Sequence, residues 1–161
     1  MDNKIYVLDS TVFLERYSDS FSDLACATVY EVAEEIQEPY AKIRFDMFVK
    51  SGLSLMTPAE KFVKAVDLKV SETRDKLSRT DVMVIALALD FASRGKDAAV
   101  VSDDYGIQNV ALSLGVEFLP VSSKGIGRAL KWERVCTACG KPGDGEECDV
   151  CGSRMKFVSR A

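Results

Sequence analysis

Histidine is absent from this 161-residue chain. The absence excludes imidazole as a general acid or base, the catalytic triads that need it, and metal sites with histidine ligands. The chain also lacks a run of eighteen apolar residues, so we expect no membrane span. Its first residues, MDNKIYVLDS, lack the apolar segment of a signal peptide. We therefore expect a cytoplasmic protein whose chemistry relies on carboxylates, lysine, hydroxyls, thiols or bound metals.

Charge is distributed unevenly along the chain. The net charge is −4, yet the residues from Ser122 onward carry eight Lys or Arg against five Asp or Glu. With 47% hydrophobic residues, the chain can bury one sizeable core and a small appendage. We expect an acidic main domain (residues 1–121), a basic linker (residues 122–134) and a small cysteine-rich module (residues 135–161).

Strand-like and helix-like segments alternate through the main domain. The strand-like segments are KIYVLDS, LSLMTP, AAVVS and VEFLPV. The helix-like segments are TVFLERY, TVYEVAEEIQE, AEKFVKAVDLKVSETRDKL, SRTDVMVIALALDFASRG and YGIQNVALSLG. The fourth of these helices is apolar on all sides at its middle, which is typical of a buried helix. The alternation predicts an α/β fold with a central parallel sheet flanked by helices.

Acidic residues follow the predicted strands, where parallel sheets form their binding sites. Asp9 ends the first strand, and Asp103 and Asp104 end AAVVS. Each carboxylate can be explained as a helix cap, and Ser78 with Asp81 fits a capping box. Several caps at one sheet edge would gather negative charge, which is costly unless a cation neutralises it. Such a cluster suits Mg²⁺ or Mn²⁺, ions that can activate water for displacement at phosphorus.

The glutamates of TVYEVAEEIQE divide by their helical angle. Glu31, Glu34 and Glu38 point away from the apolar stripe and are expected in solvent. Glu35 lies at the edge of that stripe and can turn toward a cleft. The candidate carboxylates are therefore Asp9, Glu35, Asp81, Asp103 and Asp104.

Two CxxCG motifs lie close together near the end of the chain. Their spacing in CTACGKPGDGEECDVCG predicts a structural zinc site with four thiolate ligands: Cys136, Cys139, Cys148 and Cys151. The alternatives are disulfides, which are rare inside cells, or a redox CxxC, which needs no second copy. Cys26 stands apart, and we expect it to be a buried thiol.

Basic residues of the linker could contact RNA. They are Lys124, Arg128, Lys131 and Arg134, and the last three share one face if the linker is helical. Further positive charge on the module comes from Arg154, Lys156 and Arg160. The alternative is ordinary solvated charge. Trp132 is expected either to stack on a base or to pack the linker against the rest of the protein.

Four stretches in this order, YVLDSTVFL, VAEEI, RTDVMVIALA and VVSDDYGIQN, resemble the PIN-domain endoribonucleases. The resemblance implies a divalent-metal-dependent nuclease for single-stranded RNA, with Asp9, Glu35, Asp81 and one or both of Asp103 and Asp104 around the metal. The motif of that family favours Asp104.

The combination of such a domain with a zinc ribbon, joined by GIGRALKWERVC, resembles the Nin-one-binding (NOB) family. This resemblance implies cleavage of pre-rRNA at the 3′ end of small-subunit rRNA, with the small ribosomal subunit and assembly factors as partners. The alternatives are a general or toxin-type PIN ribonuclease and a non-catalytic RNA-binding assembly factor.

Overall fold

Five short strands form a parallel sheet in the first part of the chain. In the computed structural model, which describes residues 3–122 and 124–160, they are β1 (Ile5–Leu8), β2 (Cys26–Thr28), β3 (Ser54–Leu55), β4 (Ala98–Val101) and β5 (Glu117–Leu119). Their order across the sheet is β3-β2-β1-β4-β5, and all neighbours are parallel. The predicted α/β class with a central parallel sheet is confirmed. β1 and β4 lie side by side at its centre, so the residues that follow them meet at one edge.

In the residues that the structure describes, six α-helices connect or cover these strands. They are α1 (Thr11–Leu14), α2 (Tyr30–Glu35), α3 (Pro39–Lys50), α4 (Glu60–Thr73), α5 (Arg79–Ser93) and α6 (Tyr105–Ser113), with a short 3-10 helix at Ser18–Phe21. Residues 82–88 of α5 are all buried, which confirms the buried helix predicted from its apolar middle. Within the described ranges, no helix is both long and apolar enough to cross a membrane.

The sequence interpretation missed β2, α3 and the 3-10 helix, and it extended several helices too far. β2 has three residues, and α3 has its buried residues at Ala41, Phe45 and Phe48. α1 ends at Leu14, two residues before Arg16 adopts a left-handed backbone with φ of +64°. α2 is also shorter than the predicted helix over residues 28–38. Strand pairing and tertiary packing set these boundaries, which local propensity fixes poorly.

The cysteine-rich module is built on an antiparallel hairpin. Its strands are β6 (Lys131–Cys136) and β7 (Met155–Arg160), with Cys136 opposite Met155. Lys131 and Arg134 therefore lie on a strand. The prediction that Arg128, Lys131 and Arg134 share one face of a helix is wrong. The described residues of the predicted linker contain no helix.

Buried polar side chains attach this hairpin to the main domain. The Asn109 side-chain amide donates to Asp75 (2.7 Å) and to the Leu130 carbonyl (2.7 Å), and its oxygen accepts from the Leu130 N–H (2.6 Å). The Trp132 indole N–H donates to the other oxygen of Asp75 at 3.1 Å. Trp132 thus packs β6 against the main domain, as one of its two predicted roles requires.

Candidate functional site

Asp9 occupies the centre of the sheet edge, directly after β1, and is 2% exposed. Its carboxylate accepts hydrogen bonds from the Ser10 N–H (2.7 Å), the Thr11 hydroxyl (3.1 Å) and the Ser102 hydroxyl (2.8 Å). Burial raises the pKa of Asp9, and the nearby charge of Asp81 raises it further. The surrounding residues therefore orient this carboxylate without neutralising its charge.

Asp81 brings a second carboxylate to this edge from the first turn of α5. It forms the predicted capping box, in which the Ser78 N–H donates to the Asp81 carboxylate (2.7 Å) and the Asp81 N–H donates to the Ser78 hydroxyl (3.2 Å). Burial is the main cause that raises the pKa of Asp81, and repulsion from Asp104 and Glu35 adds to it. Asp81 therefore caps α5 and at the same time belongs to the cluster of carboxylates.

The adjacent Asp103 and Asp104 have different surroundings. Asp103 accepts hydrogen bonds from the Val121 N–H (2.7 Å) and from the N–H and hydroxyl groups of Ser122, so it holds the segment after β5. Asp104 caps α6 through Oδ1, which accepts from Gly106 and Ile107. Its charge is also one of those that act on Asp81. Geometry therefore favours Asp104 over Asp103 as a member of the cluster.

The glutamates of α2 lie at the margin of this cluster. Glu35 is exposed at the end of the helix, and its charge reaches Asp81. Glu34 is exposed as expected, whereas Glu31 is half-buried instead of lying in solvent. Glu38 is exposed and caps α3 by accepting from the backbone N–H groups of Tyr40 and Ala41. Only Glu35 of this group has an influence on Asp81.

The four cysteines of the hairpin converge more tightly than the carboxylates do. Their sulfur atoms all lie within 4.8 Å of one another, and within the described ranges no other group of three or more acidic or cysteine side chains meets that limit. Cys136 lies 3.4 Å from Cys151, and Cys139 lies 3.6 Å from Cys148, sulfur to sulfur. All four are free thiols. A tetrahedral soft-ligand site of this kind fits zinc.

Backbone geometry presents these thiols toward a shared centre. Gly140 and Gly152 end the two CxxCG turns with φ of +73° and +68°, a conformation that glycine adopts without strain. The N–H groups of Ala138 and Cys139 both point at Cys136 Sγ, 3.4 Å away. The hydrogen bond from Cys139 is the main cause that lowers the pKa of Cys136 to about 6. A thiol that ionises this readily is suited to ligate a metal.

Cys26 takes no part in this site. It lies in β2, is 7% exposed, and its thiol contacts the Phe21 carbonyl at 3.6 Å. Burial raises its pKa to about 11, so the thiol stays protonated. The expected buried thiol is confirmed.

Comparison with known proteins assigns the family. A sequence profile of the PIN domain of ribonuclease matches residues 6–91. The Endoribonuclease Nob1 of Methanothermobacter thermautotrophicus is 37% identical over 166 residues, covering 96% of this chain and 95% of that protein. The Endoribonuclease Nob1 of Methanocaldococcus jannaschii is 35% identical over 158 residues, covering 95% of this chain and 77% of that protein. The chain belongs to the Nob1 family of PIN-domain endoribonucleases.

The match to Nob1 spans the cysteine module as well as the PIN domain, since it covers nearly the whole chain. The Ribonuclease VapC1 of Thermoplasma acidophilum is also similar, at 34% identity over 94% of this chain and 77% of that protein. The resemblance to PIN-domain endoribonucleases and to the NOB family is thus confirmed.

The basic residues predicted to contact RNA differ in their exposure and in the contacts that they already make. Lys124, Arg128 and Lys131 are exposed. Arg134 is half-buried, donates to the carbonyls of Asp144 and Gly145 at 3.1 Å, and stacks over the Phe157 ring at 4.7 Å. Arg134 therefore holds the loop between the cysteine motifs, and the first three are the better placed for a nucleic acid.

Two cations near the carboxylates escaped the sequence interpretation. Arg74 and Lys76 follow α4 and border a groove that Asp104 also lines. They belong to no motif, and in the sequence they read as the polar end of an amphipathic helix. Only the path of the chain from α4 to α5 brings them beside the sheet edge.

Proposed function

We propose that this Nob1-family chain is a divalent-metal-dependent endoribonuclease that cleaves pre-rRNA at the 3′ end of small-subunit rRNA. Membership of the Nob1 endoribonucleases over most of the chain is the observation that carries the proposal. The carboxylates at the sheet edge support its metal dependence. This substrate implies the small ribosomal subunit and its assembly factors as partners, and a cytoplasmic site of action.

The acidic cluster fits a hard divalent cation. Its donors are carboxylate oxygens, the type of ligand that Mg²⁺ and Mn²⁺ prefer. Asp9 is buried without a basic partner in the described residues, and Asp81 is repelled by Asp104 and Glu35. Asp9, Glu35, Asp81 and Asp104 are the residues that would hold the ion. A bound ion would stabilise negative charge at the scissile phosphate and lower the pKa of a water molecule.

Ser102 links the carboxylate of Asp9 to the backbone of Asp104. Its hydroxyl donates to Asp9 at 2.8 Å and accepts from the Asp104 N–H at 3.1 Å. The side-chain amide of Gln108 in turn donates to the Ser102 carbonyl at 3.0 Å. Ser102 is fully buried, so this arrangement is rigid. It sets the distance between Asp9 and Asp104 before any RNA arrives, which is how preorganised sites reduce the cost of reaching the transition state.

The cysteine module has a structural part in this proposal. We assign one zinc ion to Cys136, Cys139, Cys148 and Cys151, because four thiolates leave no open coordination position. The module is too small for a core of its own, so the zinc supplies its folding energy. We retain the division into a nuclease domain (residues 1–121), a linker (residues 122–134) and a zinc ribbon (residues 135–161). The linker and ribbon would guide the strand through Lys124, Arg128 and Lys131, because Arg134 holds the loop between the cysteine motifs.

The test is to map cleavage of an RNA that spans the mature 3′ end of small-subunit rRNA. The wild type and Asp9→Asn would be compared with Mn²⁺ and with no divalent ion, on naked RNA and on precursor small subunits. We expect one metal-dependent cut at the mature end, lost in Asp9→Asn. Scattered cuts on both substrates would instead indicate a general PIN ribonuclease. Binding without any cleavage would indicate a non-catalytic assembly factor.

A further inference from the structure

A groove of about 280 Å³ lies between the carboxylate cluster and the zinc ribbon. Asp104 and Gly106, at the start of α6, form one wall. Trp132 and Phe157, on β6 and β7, form the opposite wall. The groove thus joins a residue of the proposed metal centre to the aromatic face of the ribbon. Its lining residues include Trp132 but none of the four basic residues that the sequence predicted to contact RNA: Lys124, Arg128, Lys131 and Arg134.

The aromatic wall is organised by the strand register. Trp132 pairs with Ser159, and Arg134 pairs with Phe157, so Trp132 and Phe157 are diagonal neighbours on one face of the hairpin. The indole N–H of Trp132 donates to Asp75, and this hydrogen bond fixes the edge of the ring. The N–H is the only hydrogen-bonding group of the indole, so the flat faces of the ring take no part in that contact. Arg134 stacks over one face of the Phe157 ring at 4.7 Å, and Phe157 remains 48% exposed. Aromatic surfaces held in this way suit stacking with a planar group.

Arg74, Asp75 and Lys76 complete the groove between these walls. Arg74 has a left-handed backbone with φ of +61° and pairs with Asp144 of the ribbon at 2.7 Å. Lys76 is exposed and makes no ion pair with any residue that the structure describes. A site that combines a stacking surface with an uncommitted lysine is complementary to a nucleotide, which has a π face and a phosphate.

We propose that this groove binds one unpaired nucleotide of the RNA next to the scissile phosphate, with its base stacked on Trp132 and Phe157 and its phosphate paired with Lys76. This proposal rests on the proposed ribonuclease function and adds a nucleotide-binding subsite beside the proposed catalytic centre. Because Asp104 lines the same groove, the bound nucleotide lies within a step or two of the cleaved bond. The ribbon would then take part in placing the cut, and RNA paired at that nucleotide would bind poorly.

Trp132 provides the direct test, since it is the only tryptophan in the chain. Zinc-loaded full-length Asp9→Asn would be titrated with a short single-stranded RNA that spans the mature 3′ end, while tryptophan emission is followed. We expect quenching on binding, because a stacked base contacts the indole. Removal of one base at a time from the RNA should abolish quenching at a single position, which identifies the nucleotide in the groove.

Variants of the groove give the second measurement. In the same Asp9→Asn background, Phe157→Leu should raise the dissociation constant about tenfold, within the range known for loss of one base–aromatic stack. Lys76→Met should raise it several-fold, whereas the control Lys64→Met, which removes an exposed lysine of α4 away from the groove, should leave it within about twofold. Thermal melting of each variant would verify that it is folded.

Three results would overturn the subsite. They are binding without quenching, quenching that no single abasic position removes, and groove variants that bind like Lys64→Met. Cleavage is scored separately on the chain with Asp9 intact. Normal cleavage with an unresponsive groove would leave the ribonuclease function and remove the subsite. Absence of cleavage together with position-specific quenching would support the nucleotide subsite and contradict the ribonuclease function.

Discussion

At the scale of single residues, two identical neighbours carry different tasks. Asp103 accepts hydrogen bonds from the segment after β5, and Asp104 caps α6 and repels Asp81. The sequence motif VSDDYG names both residues as candidates, and only their partners separate them. Those partners depend on where the segment after β5 returns to the sheet, which is a tertiary contact that no local pattern encodes.

This difference predicts opposite results for two matched substitutions. Asp104→Asn should reduce the cleavage rate about 100-fold or more, because a catalytic ion contributes several kcal/mol and each 1.36 kcal/mol is a factor of ten. Asp103→Asn should keep the rate within about tenfold and lower the melting temperature instead. Single-turnover cleavage and thermal melting of both variants would check this. Equal loss of cleavage in both would show that the two carboxylates share the catalytic task.

Glu38 predicts a pH-dependent contribution to stability. The N–H groups of Tyr40 and Ala41 donate to this carboxylate and lower its pKa below the usual 4.5. A group whose pKa is lower in the folded state stabilises the fold above its unfolded pKa, and the effect is lost as the pH falls through the folded pKa. Glu38→Gln should therefore destabilise the protein at pH 7 and have little effect near pH 3. Urea unfolding of the wild type and the variant at both pH values measures this difference in stability. An equal difference at the two pH values would show that the charge of Glu38 is not its cause.

At the scale of elements, predictability follows the length and regularity of the apolar pattern. The apolar middle of α5 and the all-apolar β4 are clear in the sequence and are central in the fold. α3 is harder to recognise, because apolar residues such as Ile43 and Met47 lie on its exposed side and blur the buried stripe. β6 was misjudged because its partner β7 begins nineteen residues after β6 ends, beyond the loop that carries the other three clustered cysteines. Pairing at that separation overrides a local three-residue spacing of basic side chains.

The central position of α5 predicts a large cost for truncating its core side chains. Leu87 is 1% exposed, whereas Leu68 on α4 is 63% exposed. Leu87→Ala should reduce the free energy of unfolding by about 2–5 kcal/mol, the range for buried leucine truncations. Leu68→Ala should change it by about 0.5 kcal/mol or less. Denaturant unfolding would measure the free energy of unfolding of both variants. Similar reductions in the two would contradict the placement of α5 in the core.

At the scale of the whole molecule, two metal chemistries lie on either side of one groove. The carboxylate edge suits a hard ion and the hairpin suits zinc. Asn109 and Asp75 join the two parts through buried or half-buried hydrogen bonds. Sequence spacing alone identified the four cysteines that come together, because all four lie within sixteen residues. It could not show how the ribbon sits on the domain, which depends on single contacts such as Trp132 with Asp75.

The zinc assignment predicts a specific consequence for the ribbon. Cys148→Ser should reduce bound zinc from about one ion per chain to nearly none, and Trp132 emission should shift to longer wavelength as β6 loosens. Cys26→Ala is the matched control, because it removes the fifth cysteine and should keep the zinc. Metal analysis and fluorescence of both variants would decide. Retention of a full zinc ion by Cys148→Ser would contradict the four-thiolate site.

The most direct test of the account is to locate manganese in the protein by anomalous X-ray scattering from crystals grown with Mn²⁺, with zinc mapped in the same crystals. We predict a manganese peak among Asp9, Asp81 and Asp104, absent in Asp104→Asn and retained in Asp103→Asn, and a zinc peak among the four cysteines. A manganese peak elsewhere, or one that survives Asp104→Asn and is lost in Asp103→Asn, would contradict the proposed catalytic centre.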